Sequence, residues 1–239
     1  MRNLIFKVLI LFFFCSSKGQ TPDTLYTHSG YLKIKNNPDS VAYSKDYYLN
    51  EGVYLNHEDF REGNAVPRSL ILTSVEKNQL DFYGKLVEKT DTLIFRSGQG
   101  INVFLMDSVF GFVQNNTVYV NVEGTFCRVA VFGNISHFIG SITIESFQHP
   151  GNFYDARMQN GGSSITGIPM RTKEIRPFLF DFYSGEITLA NTENFERLIQ
   201  KDKELCSEYR ELSKNQQRKK MNLFIKKYNE RNKFYFPKA

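Results

Sequence analysis

The feature that most constrains the fold of this chain is the alternation of apolar and polar residues between positions 101 and 144. Successive side chains of a strand point to opposite faces of a sheet, so this pattern is typical of strands with one buried face. We expect strands at residues 101–106, 109–114, 118–123, 125–131 and around 141–143. Asn115-Asn116 and Gly124 suit the turns between them, because Asn and Gly tolerate the backbone angles of tight hairpins. The stretch predicts a β-meander.

Short apolar runs on either side of the meander continue the same rhythm. Before it they fall at residues 31–35, 46–49, 53–55, 69–73, 81–83 with 85–87, and 92–96; after it, 178–183 and 186–189 form a hairpin across Ser184-Gly185. No helical pattern longer than about two turns lies between the early runs, which argues against a Rossmann-like sheet. We predict a mainly β (α+β) fold, an antiparallel sandwich or partly open barrel followed by a C-terminal helical segment.

The chain changes character after residue 190. Asn191 or Thr192 suits the N-cap of a first helix and Asp202 that of a second, and Ser213 with Gln216 forms a capping-box pattern that begins a third. Apolar residues recur there at helical spacing: Phe195, Leu198, Ile199, Leu205, Cys206, Tyr209, Leu212, Met221, Phe224, Ile225 and Tyr228. Residues 148–171, rich in Gly, Asn and Ser, are expected to form a long loop. The predicted regions are a signal peptide (1–19), an antiparallel β-rich body (20–190) and a helical basic segment (191–239).

The N-terminus has the features of a targeting segment. Arg2 and Lys7 give a positive start, residues 8–14 are apolar, and Ser17 to Gly19 offer small residues at a cleavage site before Gln20. The alternative is lipidation at Cys15, although Phe14 stands where a lipoprotein signal has a small residue. No other apolar run approaches the length of a transmembrane helix. We expect an exported protein that is periplasmic or associated with the outer membrane and is not integral to a membrane.

Two cysteines, Cys127 and Cys206, remain after such a cleavage. An exported chain could join them, but one lies in a predicted strand and the other in a predicted helix. We favour two buried small hydrophobic residues. The chain has no CxxC motif or zinc-like ligand spacing, so neither a metal nor another cofactor is predicted.

The charge of the chain is unevenly distributed. Residues 214–239 carry nine Lys or Arg and a single acid, Glu230, whereas residues 20–213 have a net charge of −6. The candidate partner-binding residues are those of the basic stretch: Arg218, Lys219, Lys220, Lys226, Lys227 and Arg231. They suit an envelope protein, an anionic envelope polymer or lipid headgroups, while export argues against nucleic acid. The alternatives are a solvated helix face, or docking onto the protein's own acidic body.

Candidate catalytic groups are few. His57, Glu58 and Asp59 are consecutive and do not face one point on a helix. Asn56 can cap a single helical turn here, which Gly63-Asn64 would end. Ser136 and His137 are adjacent, and adjacent residues on a strand point to opposite faces. The chain has no Gly-x-Ser-x-Gly motif and no glycine-rich phosphate loop. No catalytic residue is therefore assigned.

Three segments carry a resemblance to a known group of proteins. They are 52–60 (GVYLNHEDF), 109–112 (VFGF) followed by 118–121 (VYVN), and 226–232 (KKYNERN) with Tyr235-Phe236-Pro237. With these segments the chain resembles a family of uncharacterised, exported, β-rich proteins common in the Bacteroidota. The resemblance implies an envelope location and carries no known activity.

We expect a non-catalytic binding or structural module of the cell envelope. The alternatives are an accessory subunit of an outer-membrane assembly that docks through the basic helix, and a hydrolase acting on envelope or other polymers. A hydrolase should bring two or more of a small set of residues together in a cleft: His57, Glu58, Asp59, His137 and His149. A binding module should instead expose an apolar patch.

Overall fold

The computed structural model describes residues 39–98, 100–148 and 168–238. The strands are β1 (Ser40–Ala42), β2 (Gly52–Tyr54), β3 (Thr92–Ser97), β4 (Gly100–Leu105), β5 (Gly111–Gln114), β6 (Thr117–Val122), β7 (Thr125–Val131), β8 (Ile135–Gln148), β9 (Ile168–Asp181), β10 (Ile187–Leu189) and β11 (Tyr235–Pro237). The helices are α1 (His57–Glu62), α2 (Phe82–Lys89), α3 (Thr192–Ile199), α4 (Lys203–Arg210) and α5 (Lys214–Arg231), with a 3₁₀ turn at Met106–Ser108.

Seven strands form one antiparallel sheet in the order β10-β9-β8-β7-β6-β5-β2. The sheet is not closed, because β10 and β2 lie at its two ends without pairing to each other. The prediction of a mainly β, antiparallel fold followed by helices is confirmed. The meander is confirmed for β5 to β8, and the turn between β5 and β6 has Asn115 and Asn116 at φ 49° and 55°. Both angles lie in the left-handed region that this kind of two-residue hairpin turn requires.

The first predicted strand of the meander belongs to another sheet. Residues 101–106 contribute β4, which pairs with β3 rather than with β5, and Met106 begins the 3₁₀ turn. Alternation shows that a segment is a strand but says nothing about its partner. Here the turn at Met106–Ser108 redirects the chain, so that β5 pairs with β2 and β6 instead.

Three further strand predictions are wrong. Residues 81–83 and 85–87 form α2, since Phe82, Tyr83 and Leu86 lie on the buried side of one helix and Gly84 sits inside it. Residues 69–73 make only a single bridge to β3, between Ile71 and Phe95. Residues 46–49 form no strand because the backbone there bonds to a side chain: the Leu49 N–H donates to Asn116 Oδ1 at 2.9 Å.

The strands β8 and β9 are longer than the apolar runs predicted around 141–143 and at 178–183, and they pair with each other. Each strand has 14 residues, so the expected loop at 148–171 is wrong at both ends, where Gln148 and residues 168–171 are paired. Cross-strand backbone pairing extends a hairpin beyond the residues that have buried side chains. Residues 149–167 lie outside the described residues, as do the predicted signal peptide, the predicted strand at 31–35, His28 and His149.

Three apolar clusters hold these elements together. The first covers one face of the sheet and includes Phe60, Phe138, Phe180, Phe182 and Phe236. The second packs α2 and β3 against the other face of β5, through residues such as Phe82, Leu93 and Phe112. The third packs α3, α4 and α5 onto Ile135 of β8 and Leu179 of β9. The helical segment is thus folded back on the sheet.

Individual capping hydrogen bonds confirm the predicted starts of the last three helices. Asn191 accepts from the Asn194 N–H at 2.7 Å, and Asp202 accepts from the Leu205 N–H at 3.0 Å. Ser213 and Gln216 form the predicted capping box. The strand β11, which the sequence did not predict, pairs with β1 and so joins the two ends of the described chain.

Candidate functional site

His57 has a structural role. Its Nε2–H donates to the Phe182 carbonyl oxygen at 2.8 Å, and its ring packs against Phe110 and Phe180. Burial lowers the pKa of His57, with the Arg61 charge acting in the same direction and the Phe182 carbonyl opposing it. The imidazole therefore ties α1 to the turn after β9.

The two acids beside His57 do not form a site with it. Glu58 is exposed. Asp59 belongs to the cap of α1: its N–H donates to Asn56 Oδ1 at 2.8 Å, and Asn56 Nδ2 donates to its carboxylate at 2.8 Å. Burial raises the pKa of the Asp59 carboxyl, and the hydrogen bonds that this carboxyl accepts from the backbone and side chain of Asn56 partly offset the rise. The predicted single-turn helix, capped by Asn56 and ended by Gly63, is confirmed.

Ser136 and His137 point to opposite faces of the sheet. His137 stands opposite Leu179, on the helix-covered face, whereas His57 packs on the face that carries Phe180. The Ser136 hydroxyl donates to the Gly133 carbonyl at 3.0 Å. In the described parts of the chain, no group of three or more His, Cys, Asp or Glu side chains could hold a metal ion. Among the described residues, the candidate catalytic side chains of a hydrolase therefore do not converge on one site.

The two cysteines lie in different clusters and are not bonded to each other. Cys127 is buried in the first cluster and Cys206 in the third. Burial raises the pKa of both thiols, so neither has the thiolate character of a nucleophile.

The six basic candidates divide into two groups along α5. Lys227 pairs with Glu208 of α4 at 2.5 Å, Arg231 pairs with Glu204 at 3.1 Å and with Asp202 at 3.5 Å, and Lys226 lies 4.0 Å from Glu230. Arg218, Lys219 and Lys220 are exposed and make no ion pair within the ranges described. Half of the predicted set thus interacts with the protein's own acids, and the other half faces solvent.

An apolar surface that the sequence analysis did not single out lies on β3, β4 and the neighbouring residues 70–72. The Leu72 N–H donates to the Ile94 carbonyl at 2.7 Å, and the Arg96 N–H donates to the Leu70 carbonyl at 3.0 Å. This segment therefore flanks β3 through one bridge and two backbone hydrogen bonds, and it forms a unit with the β3–β4 hairpin. Leu93 and Phe95 on its inner face are buried, whereas Phe104 on the same face is 38% exposed.

The other face of this unit is exposed and largely apolar. We call it the outer apolar face; it consists of Leu70, Leu72, Ile94, Ile101, Val103 and Leu105, and the exposed Arg96 lies on the same side between Leu70 and Ile101. The pairing places Leu72, Ile94 and Val103 in one row across the unit. Val103 is 63% exposed, and Ile101 and Leu105 are each 65% exposed. A surface of this kind marks an interaction site more often than isolated exposed apolar residues do.

The edge of β4 that faces away from β3 is also open. No strand among the described residues pairs with it. Along a strand, the backbone groups of successive residues point alternately to the two sides. Ile94 and Arg96 use theirs to bond to residues 70–72, so Phe95 bonds to its partner Asn102 on β4. The N–H and C=O groups of Ile101, Val103 and Leu105 therefore point to the open edge. Ile101 and Val103 contribute both side chains to the outer apolar face and free backbone groups, whereas the Leu105 carbonyl accepts a hydrogen bond from the Ser108 hydroxyl at 2.7 Å.

The strand β4 lacks the usual protection of such an edge. Its sequence, GINVFL, contains no charged residue and no proline. Natural edge strands are commonly protected by Lys, Pro or a bulge, since a bare apolar edge pairs with other chains. The signal in the sequence was the alternation at 101–105, which identified a strand but not which face would be covered.

In comparisons with known proteins, no family model, curated protein or solved structure matches the chain. Among the helices of the described residues, none is long and apolar enough to cross a membrane.

Proposed function

We propose that this protein is an exported, non-catalytic binding module of the cell envelope, and that its outer apolar face with the open edge of β4 binds a protein partner. The observation that carries the proposal is the coincidence of both features on Ile101 and Val103. Apolar side chains alone could contact many surfaces. An adjacent row of unpaired backbone groups is matched in geometry by an extended polypeptide.

The partner is an extended segment of another polypeptide, added as a strand beside β4. In such strand addition, backbone hydrogen bonds supply affinity and alternate side chains supply specificity. Every second residue of the added segment would continue the outer apolar face, so we expect apolar residues at those positions. The absence of charged residues on β4 fits such a partner. A charged side chain packed against an apolar segment would lose its contact with water, which costs free energy.

Export is supported by the N-terminal targeting features and by the resemblance to exported proteins. The mass of the mature N-terminus tests it directly. A chain that begins at Gln20 or at a lipidated Cys15 supports export, whereas a protein that retains Met1 in the cytoplasm contradicts it.

Site-specific photocrosslinking in the producing cells tests the binding proposal. A photoreactive phenylalanine replaces Val103 in one variant and Ile175 in the other, because Ile175 is a 77% exposed apolar residue on β9, away from β4. We expect a discrete protein adduct from position 103 and none from position 175. Adducts of equal yield at both positions, or none at 103, would contradict the proposal.

Substitution provides the second arm. Val103→Lys places a charge on the outer apolar face and should abolish the adduct formed from a probe at position 101. Ile175→Lys is the matched control and should leave it unchanged. Loss of the adduct in both variants would show that the adduct does not report this surface.

A further inference from the structure

A second surface feature, separate from the outer apolar face, is a cleft of about 390 Å³ beside the ends of β6 and β7. This volume lies in the range of small-molecule sites, roughly 300–1,000 Å³. The lining residues are Tyr43, Lys45, Asn116, Thr117, Val118, Arg128, Val129, Ala130, Val131 and Phe132.

The cleft exists because two neighbouring strands separate. The pairing of β6 with β7 runs from Val122–Thr125 to Tyr119–Arg128 and stops there, although β6 begins at Thr117 and β7 continues to Val131. The pairing of β7 with β8 shifts by one residue between Val129 and Val131. Bulges of this kind bend a strand and are common next to functional sites.

Apolar side chains supply part of the lining of the cleft. Val118 and Val129 belong to the first apolar cluster, with 3% and 6% exposure. Tyr43 and Phe132 meet edge to face with ring centroids 5.0 Å apart, and Tyr43 also stacks on Phe234 at 4.8 Å. The Tyr43 N–H donates to the Phe234 carbonyl at 2.9 Å, so this wall is held in place.

The opposite wall is fixed by a polar side chain. Asn116 accepts a hydrogen bond from the Leu49 N–H at 2.9 Å and donates to the Tyr47 carbonyl at 3.2 Å. It thereby binds the β5–β6 turn to the segment that follows β1. The cleft is preformed rather than assembled by a ligand, which reduces the entropy cost of binding.

The charge of the cleft is of one sign. Lys45 and Arg128 line it, both are exposed, and no acid is among the lining residues. Neither cation makes an ion pair with any other residue that the structure describes. Burial raises the pKa of Tyr43, so the phenol adds no negative charge. Two unpaired cations beside an apolar wall suit a molecule that is anionic at one end and apolar at the other.

We propose that this cleft binds a small amphiphilic anion, with a carboxylate or phosphate facing Lys45 and Arg128 and a short apolar part against Tyr43 and Phe132. The site does not depend on the proposed partner surface, because the strands that form it are β6 and β7, not β3 and β4. The Arg128 guanidinium can bind either anion in bidentate fashion, while Lys45 acts as a point charge.

Four probes below their micellar concentrations test the proposal on the mature chain by isothermal titration and amide chemical shifts: octanoate, octyl phosphate, octan-1-ol and inorganic phosphate. We expect saturable binding of one or both of the first two and none of the others, with shifts confined to residues 116–118, 128–132 and 43–45. The two octyl anions distinguish a carboxylate from a phosphate ligand.

Charge-neutral variants complete the test. Lys45→Gln and Arg128→Gln should each weaken binding roughly three- to tenfold, with a larger loss in the double variant. Lys219→Gln, which removes an exposed cation on α5, is the control and should change nothing. The proposal is overturned if neither octyl anion saturates, if octan-1-ol binds equally well, or if the control variant weakens binding as much as Arg128→Gln.

Discussion

The side-chain amide of Asn229 on α5 forms two hydrogen bonds with the backbone of Ile135 on β8. The Ile135 N–H donates to Asn229 Oδ1 at 2.8 Å, and Asn229 Nδ2 donates to the Ile135 carbonyl at 2.8 Å. One side chain thus completes the backbone bonding of a strand residue that is 1% exposed. Together with the third apolar cluster, this contact attaches the helical segment to the sheet.

Removing this amide should therefore destabilise the protein. In Asn229→Ala the Ile135 N–H and C=O are left buried without partners, and we expect the free energy of unfolding to fall by about 2–4 kcal/mol. Asn222→Ala, at an exposed position on the same helix, should change it by less than about 0.5 kcal/mol. Urea unfolding of the two variants measures the difference, and similar losses in both would contradict the role of Asn229.

The open edge of β4 predicts losses of stability of very different size when proline is placed at adjacent residues. Asn102→Pro removes an N–H that faces β3 and should lower the free energy of unfolding by about 1–3 kcal/mol. Val103→Pro removes an N–H that faces the open edge and should cost far less, while still preventing strand addition. Equal losses of stability would show that the backbone alternation assigned here is wrong.

Two glycines should respond to alanine with opposite sign. A Cβ at Gly111 of β5 would lie 2.2 Å from the Tyr119 carbonyl oxygen, so Gly111→Ala must displace a paired strand and should destabilise by about 1–3 kcal/mol or more. Gly84 lies inside α2 with no atom within 4 Å of its Cβ position. Gly84→Ala should stabilise by about 0.5–1 kcal/mol, because alanine is the better helix former. Thermal unfolding of both variants checks the pair.

The buried imidazoles predict loss of stability on acidification. Burial lowers the pKa of both His57 and His137 below the ordinary value of 6.5. The unfolded chain therefore takes up protons at higher pH than the folded one, and stability falls as the pH drops through about 6.5. In His57→Gln, part of the difference in unfolding free energy between about pH 7.5 and about pH 5.5 should disappear. An unchanged difference would exclude His57 as a contributor.

Two groups of basic residues on α5 should affect different properties, one the stability of the protein and the other its binding to an anionic surface. Lys227→Glu loses the pair with Glu208 and the contact with the Phe224 ring, and should destabilise by about 0.5–1 kcal/mol. Reversing Arg218, Lys219 and Lys220 to Glu should leave stability nearly unchanged. If these three residues bind an anionic envelope surface, the reversal should abolish sedimentation with vesicles that contain phosphatidylglycerol; retained sedimentation would contradict that prediction.

Local features of the structure were predictable from the sequence. Asn56, Asn191, Asp202 and Ser213 each cap a helix by bonding to a residue three positions ahead, so the information lies within one turn of chain. Alternation likewise identified the strands from 109 to 131, since burial of one face leaves a period of two in the sequence. Where an apolar run was short, as at residues 82–86, the same residues fit a helix or a strand, and the prediction was wrong.

The chain by itself therefore determined its element types wherever periodicity or capping is local, and it determined the charge contrast of its last helix. Only the tertiary structure decided that β4 pairs with β3 and leaves one edge open, that β6 and β7 separate to form a cleft, and that Lys227 and Arg231 face acids of α4. These outcomes join residues far apart in the chain. They depend on which surfaces pack most favourably together, a property of the whole fold that no short stretch of sequence encodes.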